Sequence, residues 1–212
     1  LQAMTARRAP QISARKQPRQ TRSTELVATI LEAAAQVLAN EGAQRFTTAR
    51  VAEWAGVSVG SLYQYFPNKA ALLFKLQADE WVQTGEMLRG ILIEDGRKMP
   101  TTRLRALVHA FVRSECDESA LRKALSDAAP LYRDAPEMQE ARAAAVGIFQ
   151  AFMQELLPNV RTQTRVLAGD LIATTLTAGA KEFSERPHTP AEITAYAEAM
   201  ADMFCAYITE LA

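Results

Sequence analysis

Apolar residues recur three and four positions apart along almost the whole chain, and no stretch of four or more residues alternates as a strand flanked by turn signals. A chain written with this one period covers its apolar side only by laying helix on helix. The predicted fold class is therefore all-α: a small three-helix unit followed by a larger helical bundle, about nine helices in total. At 212 residues, 49% of them apolar, the chain has material for one domain, or for a small domain and a larger one.

Local chemistry sets the boundaries. A first helix is expected over 24–41, capped by Ser23, with Val27, Ile30, Leu31, Ala34, Val37 and Leu38 on one stripe and Gly42 as its stop. A second starts after Thr47, a capping hydroxyl, turns Val51, Ala52 and Ala55 inward and ends at Gly56. A third runs from an N-cap at Ser58 to Pro67, because the residue before a proline is pushed out of the helical region. Longer helices follow over about 69–92, 101–116, 118–128, 136–157, 161–185 and 190–211, separated by Gly96, Pro100, Pro130, Pro136, Pro158, Pro187 and Pro190.

The third helix, within "GVSVGSLYQYFPNK", offers only Leu62 and Phe66 to a core. Two short helices joined by a tight turn containing glycine, here "AGVS" at 55–58, form the helix-turn-helix pattern, whose second helix enters the DNA major groove. Winding that helix at about 100° per residue with Leu62 and Phe66 inward turns Gly60, Ser61 and Gln64 outward and sets Tyr63 and Tyr65 at the rims. Such a face suits a polyanion, since tyrosine hydroxyls donate to phosphate and a glutamine bonds bidentately to an adenine edge.

The formal charge is zero, but its distribution is uneven: residues 1–70 hold nine Lys/Arg against four acids. Six of the nine (Arg7, Arg8, Arg15, Lys16, Arg19, Arg22) fall in a stretch without an acid and almost without large apolar side chains, which reads as a flexible basic arm. Two roles stay open for it, a solubilising tail or a contact to phosphates or the minor groove. The expected organisation is an arm at 1–22, a helix-turn-helix domain at 23–68, and a larger helical domain at 69–212.

The stretch "TTARVAEWAGVSVGSLYQYFPNKAALL", residues 47–73, resembles the DNA-binding domain of the TetR family of transcriptional regulators, which follows roughly T-T-x-x-I-A-x-x-A-G-V-S-x-G-x-L-Y-x-Y/H-F-x-N/S-K-x-x-L. With the preceding helix the resemblance spans about 24–75. Val51 stands where isoleucine is usual, and Trp54 is bulkier than most residues at its place, which suggests extra packing on neighbouring helices. The resemblance implies DNA contact by Thr47, Thr48, Arg50, Val59, Gly60, Ser61, Tyr63, Gln64, Tyr65 and Lys69. It also implies a homodimer on a palindromic operator, with recognition helices about 34 Å apart. A small effector would release this repressor by tilting the helix that begins at Asn68.

For that effector, helices over 69–157 supply an apolar and aromatic inventory: Trp81, Met87, Phe111, Tyr132, Phe149, Phe152 and Met153, with His109, Arg113 and Gln150 as polar candidates. They suit a hydrophobic or aromatic compound. An alternative gives the bundle only dimerisation or a protein partner. The dimer candidates are Leu171, Thr174, Ala178, Met200, Phe204 and Tyr207 on the last two helices, with Asp170 and Thr174 as an interface pair.

Two distant cysteines, two histidines and the absence of GxSxG, a phosphate loop or metal-ligand spacing give no catalytic constellation and no cofactor. No apolar run approaches a membrane span or a secretory leader, so the cytoplasm is the expected compartment and no membrane partner is expected.

Overall fold

A computed structural model describes residues 21–128 and 136–212. The chain is all-α over these residues, with no strand among them. Residues 1–20, most of the basic arm, and Pro130 and Tyr132 lie outside them. The helices are α1 (Thr21–Arg45), α2 (Thr48–Trp54), α3 (Val59–Tyr65), α4 (Lys69–Arg89), α5 (Pro100–Asp117), α6 (Ser119–Ala128), α7 (Pro136–Leu156), α8 (Thr162–Ser184) and α9 (Pro190–Leu211). A π-helical turn, Gly90–Glu94, extends α4 and closes with Asp95 N–H donating to the Gly90 carbonyl at 3.2 Å.

The described residues fall into two compact units, residues 21–79 with 120–128, and residues 80–119 with 136–212. In the first, α1 buries Ile30, Ala33, Ala34, Val37 and Leu38, an i, i+3, i+4 stripe, while α2 buries Val51 and Ala52. The α1 helix starts at Thr21, which places Ser23 in its first turn instead of at its cap. Gly42 interrupts it at φ 75°, ψ 170°, a left-handed backbone that glycine adopts without steric cost, and one further turn leads to Arg45. The caps of the next two helices are those the hydroxyls predict. Thr47 Oγ1 accepts from Arg50 N–H at 3.1 Å, and Ser58 Oγ accepts from Ser61 N–H at 3.0 Å. Gly56, at φ 65°, makes the turn between them.

The second unit is built on α5, which packs against both α8 and α9, with α7 on α8. Its core joins Leu92, Leu104, Leu107, Val108 and Val112 to Phe152, Met153, Leu157, Ile172, Leu176, Ala197, Phe204 and Ile208. Arg103 lies inside this core, 1% exposed, bonded to the Leu92 carbonyl and to Glu155, with its guanidinium carbon 5.3 Å from the Phe152 ring centroid. The α9 helix opens on a reciprocal cap, Thr189 with Glu192, and a stack of His188, Phe183 and Tyr196 rings fills the α8–α9 corner.

Candidate nucleic-acid interface

The short α3 helix places its side chains in two sets. Leu62 and Tyr65, three residues apart, form the buried stripe, and Phe66 joins them from an extended backbone (φ −117°, ψ 110°) beyond the helix. This corrects the rim position expected for Tyr65, which is 6% exposed. The helix ends one residue before Phe66, so its inward side is set by Leu62 and Tyr65 and not by Leu62 and Phe66.

Tyr63 is 41% exposed, and its hydroxyl lies 3.0 Å from Thr48 Oγ1, which ties α3 to the start of α2. Val59, Gly60 and Gln64 are exposed and Ser61 is half-buried, its hydroxyl bonded to that of Ser58 at 2.8 Å. The candidate face is thus a neutral surface of hydroxyls, one amide and one small aliphatic side chain.

The two candidate cations are held within the protein. Arg50 pairs with Glu41 at 2.8 Å and Glu53 at 2.7 Å, and these hydrogen bonds, Glu53 foremost, raise its already high pKa. Its guanidinium carbon lies 5.8 Å from the ring of Trp54. Trp54 itself is 42% exposed, not packed away as its bulk suggested. Lys69 donates to the Ala43 carbonyl at 2.6 Å and lies 5.6 Å from the Phe46 ring; burial pushes its ammonium below the usual lysine range. Its geometry is that of a clamp on the last turn of α1.

In the second unit, a cavity of about 430 Å³ opens between α4, α5, α7 and α8. Phe111, Phe149 and Met153 line it, as does Gln150. The other expected contacts stand elsewhere. Phe152 is fully buried behind Phe149, with ring centroids 6.3 Å apart. Trp81 and Met87 are on α4, but that helix reaches the wall through Thr84 and Leu88. His109 bonds Glu198 at 2.6 Å on the α5–α9 face, and Arg113 shares a shallow surface hollow with it. The α8 helix, read as interface alone, supplies a whole wall: Thr162, Arg165, Val166, Gly169, Asp170, Ala173, Leu176 and Thr177. Asp170, expected with Thr174 as an interface pair, lines the cavity.

Of the dimer candidates, Leu171 is 51% exposed, and Thr174 and Ala178 are also exposed. Met200 and Phe204 are corrected to core residues, buried at 7% and 3% exposure, and Tyr207 packs partly buried against the same core. The broad apolar band of α9 hid which side faces inward. The exposed apolar face instead joins Leu167, Leu171, Thr174 and Ala178, spaced 4, 3 and 4 residues apart, with Met203 exposed on α9.

Among the described residues no cluster of three or more His, Cys, Asp or Glu side chains could hold a metal ion, and no helix is long and apolar enough to cross a membrane.

Comparison with known proteins bears on both units. Residues 30–76 match the family "Bacterial regulatory proteins, tetR family", and residues 99–211 match "Tetracyclin repressor-like, C-terminal domain". The nucleoid occlusion factor SlmA of Vibrio campbellii is 35% identical over 106 residues, 50% of this chain and 53% of that protein. The chain thus spans about half the length of the curated relatives it matches. A protein of Mesorhizobium loti assigned to the TetR-family transcriptional regulators superposes with TM-score 0.70 at 17% identity, covering 89% of this chain and 98% of the other. The fatty acid degradation regulator FadR of Bacillus halodurans does so with TM-score 0.65 at 19% identity, covering 84% and 93%. At these identities the superpositions speak for the fold, while the family matches cover the helix-turn-helix and more than half of the chain. The chain belongs to the TetR family of DNA-binding transcriptional regulators.

Proposed function

We propose that the protein is a homodimeric repressor that reads a palindromic operator through α3 and leaves it when a small hydrophobic or aromatic effector occupies the second unit. The observation that carries the effector is the cavity of about 430 Å³, walled by Leu88, Leu107, Phe111, Phe149, Met153 and Leu176 with a few polar groups at Gln150, Arg165 and Asp170. Its size and mixed lining suit a compact apolar compound oriented by one or two hydrogen bonds. Operator reading falls to Val59, Gly60, Ser61, Tyr63 and Gln64, with Thr47 and Thr48 bonding phosphate at the start of α2. The heptad-spaced stripe of Leu167, Leu171, Thr174 and Ala178 supports the homodimer.

In this mechanism the effector favours the state with the wrong separation of reading heads. A differential affinity of about 1–3 kcal/mol weakens operator binding about 5- to 150-fold. The test starts from the DNA: purified protein selects its fragments from genomic DNA, and neighbouring genes nominate compounds. The proposal expects one of these to bind the protein and dissociate the recovered operator. If compounds that bind in the cavity leave DNA binding unchanged, effector release is refuted.

A second reading is favoured by the name of the relative, nucleoid occlusion factor. Under it the second unit serves dimerisation or a protein partner while the protein sits on DNA. Many binding sites without a neighbouring promoter, and no compound that releases the protein, support that reading over the first.

A further inference from the structure

We propose that the compound taken by the cavity of the second unit is a cation, a compact aromatic or aliphatic amine whose ammonium group pairs with Asp170. The inference rests on the effector reading above and adds to it the charge of the effector. Of the residues that line this cavity of about 430 Å³, only Arg165 and Asp170 are charged. Five residues apart on α8, they stand about 140° from each other round the helix, on opposite rims of the lined face, and form no ion pair. They differ in what they have left to offer. Arg165 is engaged within the protein: Nη1 donates to the Leu157 and Val160 carbonyls at 3.3 and 3.1 Å, and Nη2 stands 3.5 Å from Thr162 Oγ1. Its charge thus answers the negative C-terminal end of α7. The Asp170 carboxylate has no hydrogen bond or ion pair among the described residues.

Apolar surface adjoins that carboxylate. Gly169, the residue before it on α8, is buried, and a Cβ there would stand 3.3 Å from Met153 Cγ and 3.7 Å from a Phe149 ring carbon. The missing side chain therefore lets α7 press an aromatic ring and a thioether onto α8 one residue from Asp170. An amine paired with Asp170 can lay its apolar body on these two groups. Asp170 itself is exposed, so water solvates it at the mouth of the cavity. An occupant that closes the mouth strips part of that water, and three kinds of compound then fare differently. An ammonium replaces the lost hydration with a charge-assisted hydrogen bond, a neutral compound leaves the carboxylate less solvated, and an anion adds repulsion. A hydrogen bond to a charged group changes affinity about 10- to 150-fold, and the exposure of Asp170 places this one at the lower end, about 10-fold.

The experiment uses the full chain and three probes built on one ring system, naphthylmethylamine, naphthylmethanol and naphthoate. They are titrated by isothermal calorimetry at neutral pH, where the first is a cation and the last an anion. The amine should bind about 10-fold more tightly than the alcohol, and the carboxylate most weakly. In Asp170→Asn the amine should fall to the affinity of the alcohol, whose own binding stays unchanged. The melting temperature should not move, because the substituted side chain is exposed and makes no bond within the described residues. Ala173→Trp, which sets a ring into the cavity, should abolish binding of all three. An alcohol that matches the amine, a carboxylate that binds best, or an amine that keeps its advantage in Asp170→Asn overturns the inference. Binding that survives Ala173→Trp overturns the placement in this cavity. If none of the three binds at millimolar concentration, the cavity is no effector site and the effector reading fails with the inference, a different result from a lost preference for charge.

Discussion

The two tyrosines of α3 stand two residues apart and should respond to substitution in opposite ways. Tyr65 is 6% exposed, so Tyr65→Ala empties a ring from the core of the first unit. A buried tyrosine withdraws about 150–250 Å² from water, worth about 4–6 kcal/mol at 25 cal/mol per Å², an upper estimate. Aromatic-to-alanine substitutions in cores cost about 3–5 kcal/mol. For a protein of this length each kcal/mol lowers the melting temperature by about 2–4 °C, so a fall of roughly 6–20 °C is expected.

Tyr63 is 41% exposed, and its one internal tie is the 3.0 Å hydroxyl contact to Thr48. Tyr63→Phe removes an exposed hydrogen bond worth about 0.5 kcal/mol, a shift of at most about 2 °C. On operator DNA the order reverses: Tyr63→Phe weakens binding several-fold while Tyr65→Phe, which keeps the packed ring, binds almost as tightly as the parent. Thermal melts by circular dichroism and anisotropy titrations on the recovered operator read both quantities. If Tyr63→Phe melts as low as Tyr65→Ala, or Tyr65→Phe loses the operator while Tyr63→Phe keeps it, the division of α3 into a docking side and a reading side is wrong.

Other substitutions test separate features. Gly56→Ala puts a Cβ on a residue at φ 65° with open space around it, so strain alone should cost about 1–2 kcal/mol by denaturant unfolding, and Gly56→Asn less. The pair L167E/L171E places two carboxylates in the exposed stripe of α8; sedimentation should show monomers with unchanged helical content, and an intact dimer refutes that face as the interface. Glu192 accepts from Thr189 N–H and Oγ1, with distances of 2.7 and 2.9 Å, and these bonds hold its carboxyl below the ordinary glutamate value. A depressed pKa gives stability that is present above the unfolded value, about 4.3, and fades as pH falls through the folded one. Melts from pH 6 to pH 3 should therefore fall less steeply for Glu192→Gln than for the parent.

The fold was legible because its signals are local and agree with one another. Thr47 and Ser58 cap the helices that their hydroxyls announce, Gly42 takes the positive φ that interrupts α1, and Gly56 the one that makes the turn after α2. The candidate face was legible only as far as the helix stayed regular. Tyr65 turns inward because the helix ends before Phe66, a fact of one backbone angle that no helical wheel contains.

In the second unit, periodicity tells which residues lie on one side of a helix but not which neighbour that side meets. Phe111, Phe149 and Met153 line the cavity, whereas His109, two residues before Phe111 on the same helix, bonds Glu198 instead. Arg103 left no trace in the sequence: a lone arginine on an amphipathic helix reads as surface, and its burial follows from three helices converging on it.

Sequence-specific DNA binding is the central claim, and one ratio tests it most directly: the dissociation constant for the recovered operator against that for a shuffled duplex of equal length, at about 0.15 M KCl. The account predicts a preference of at least about 1,000-fold, falling towards one in Gln64→Ala with its melting temperature unchanged. Equal affinity for the two duplexes would contradict it.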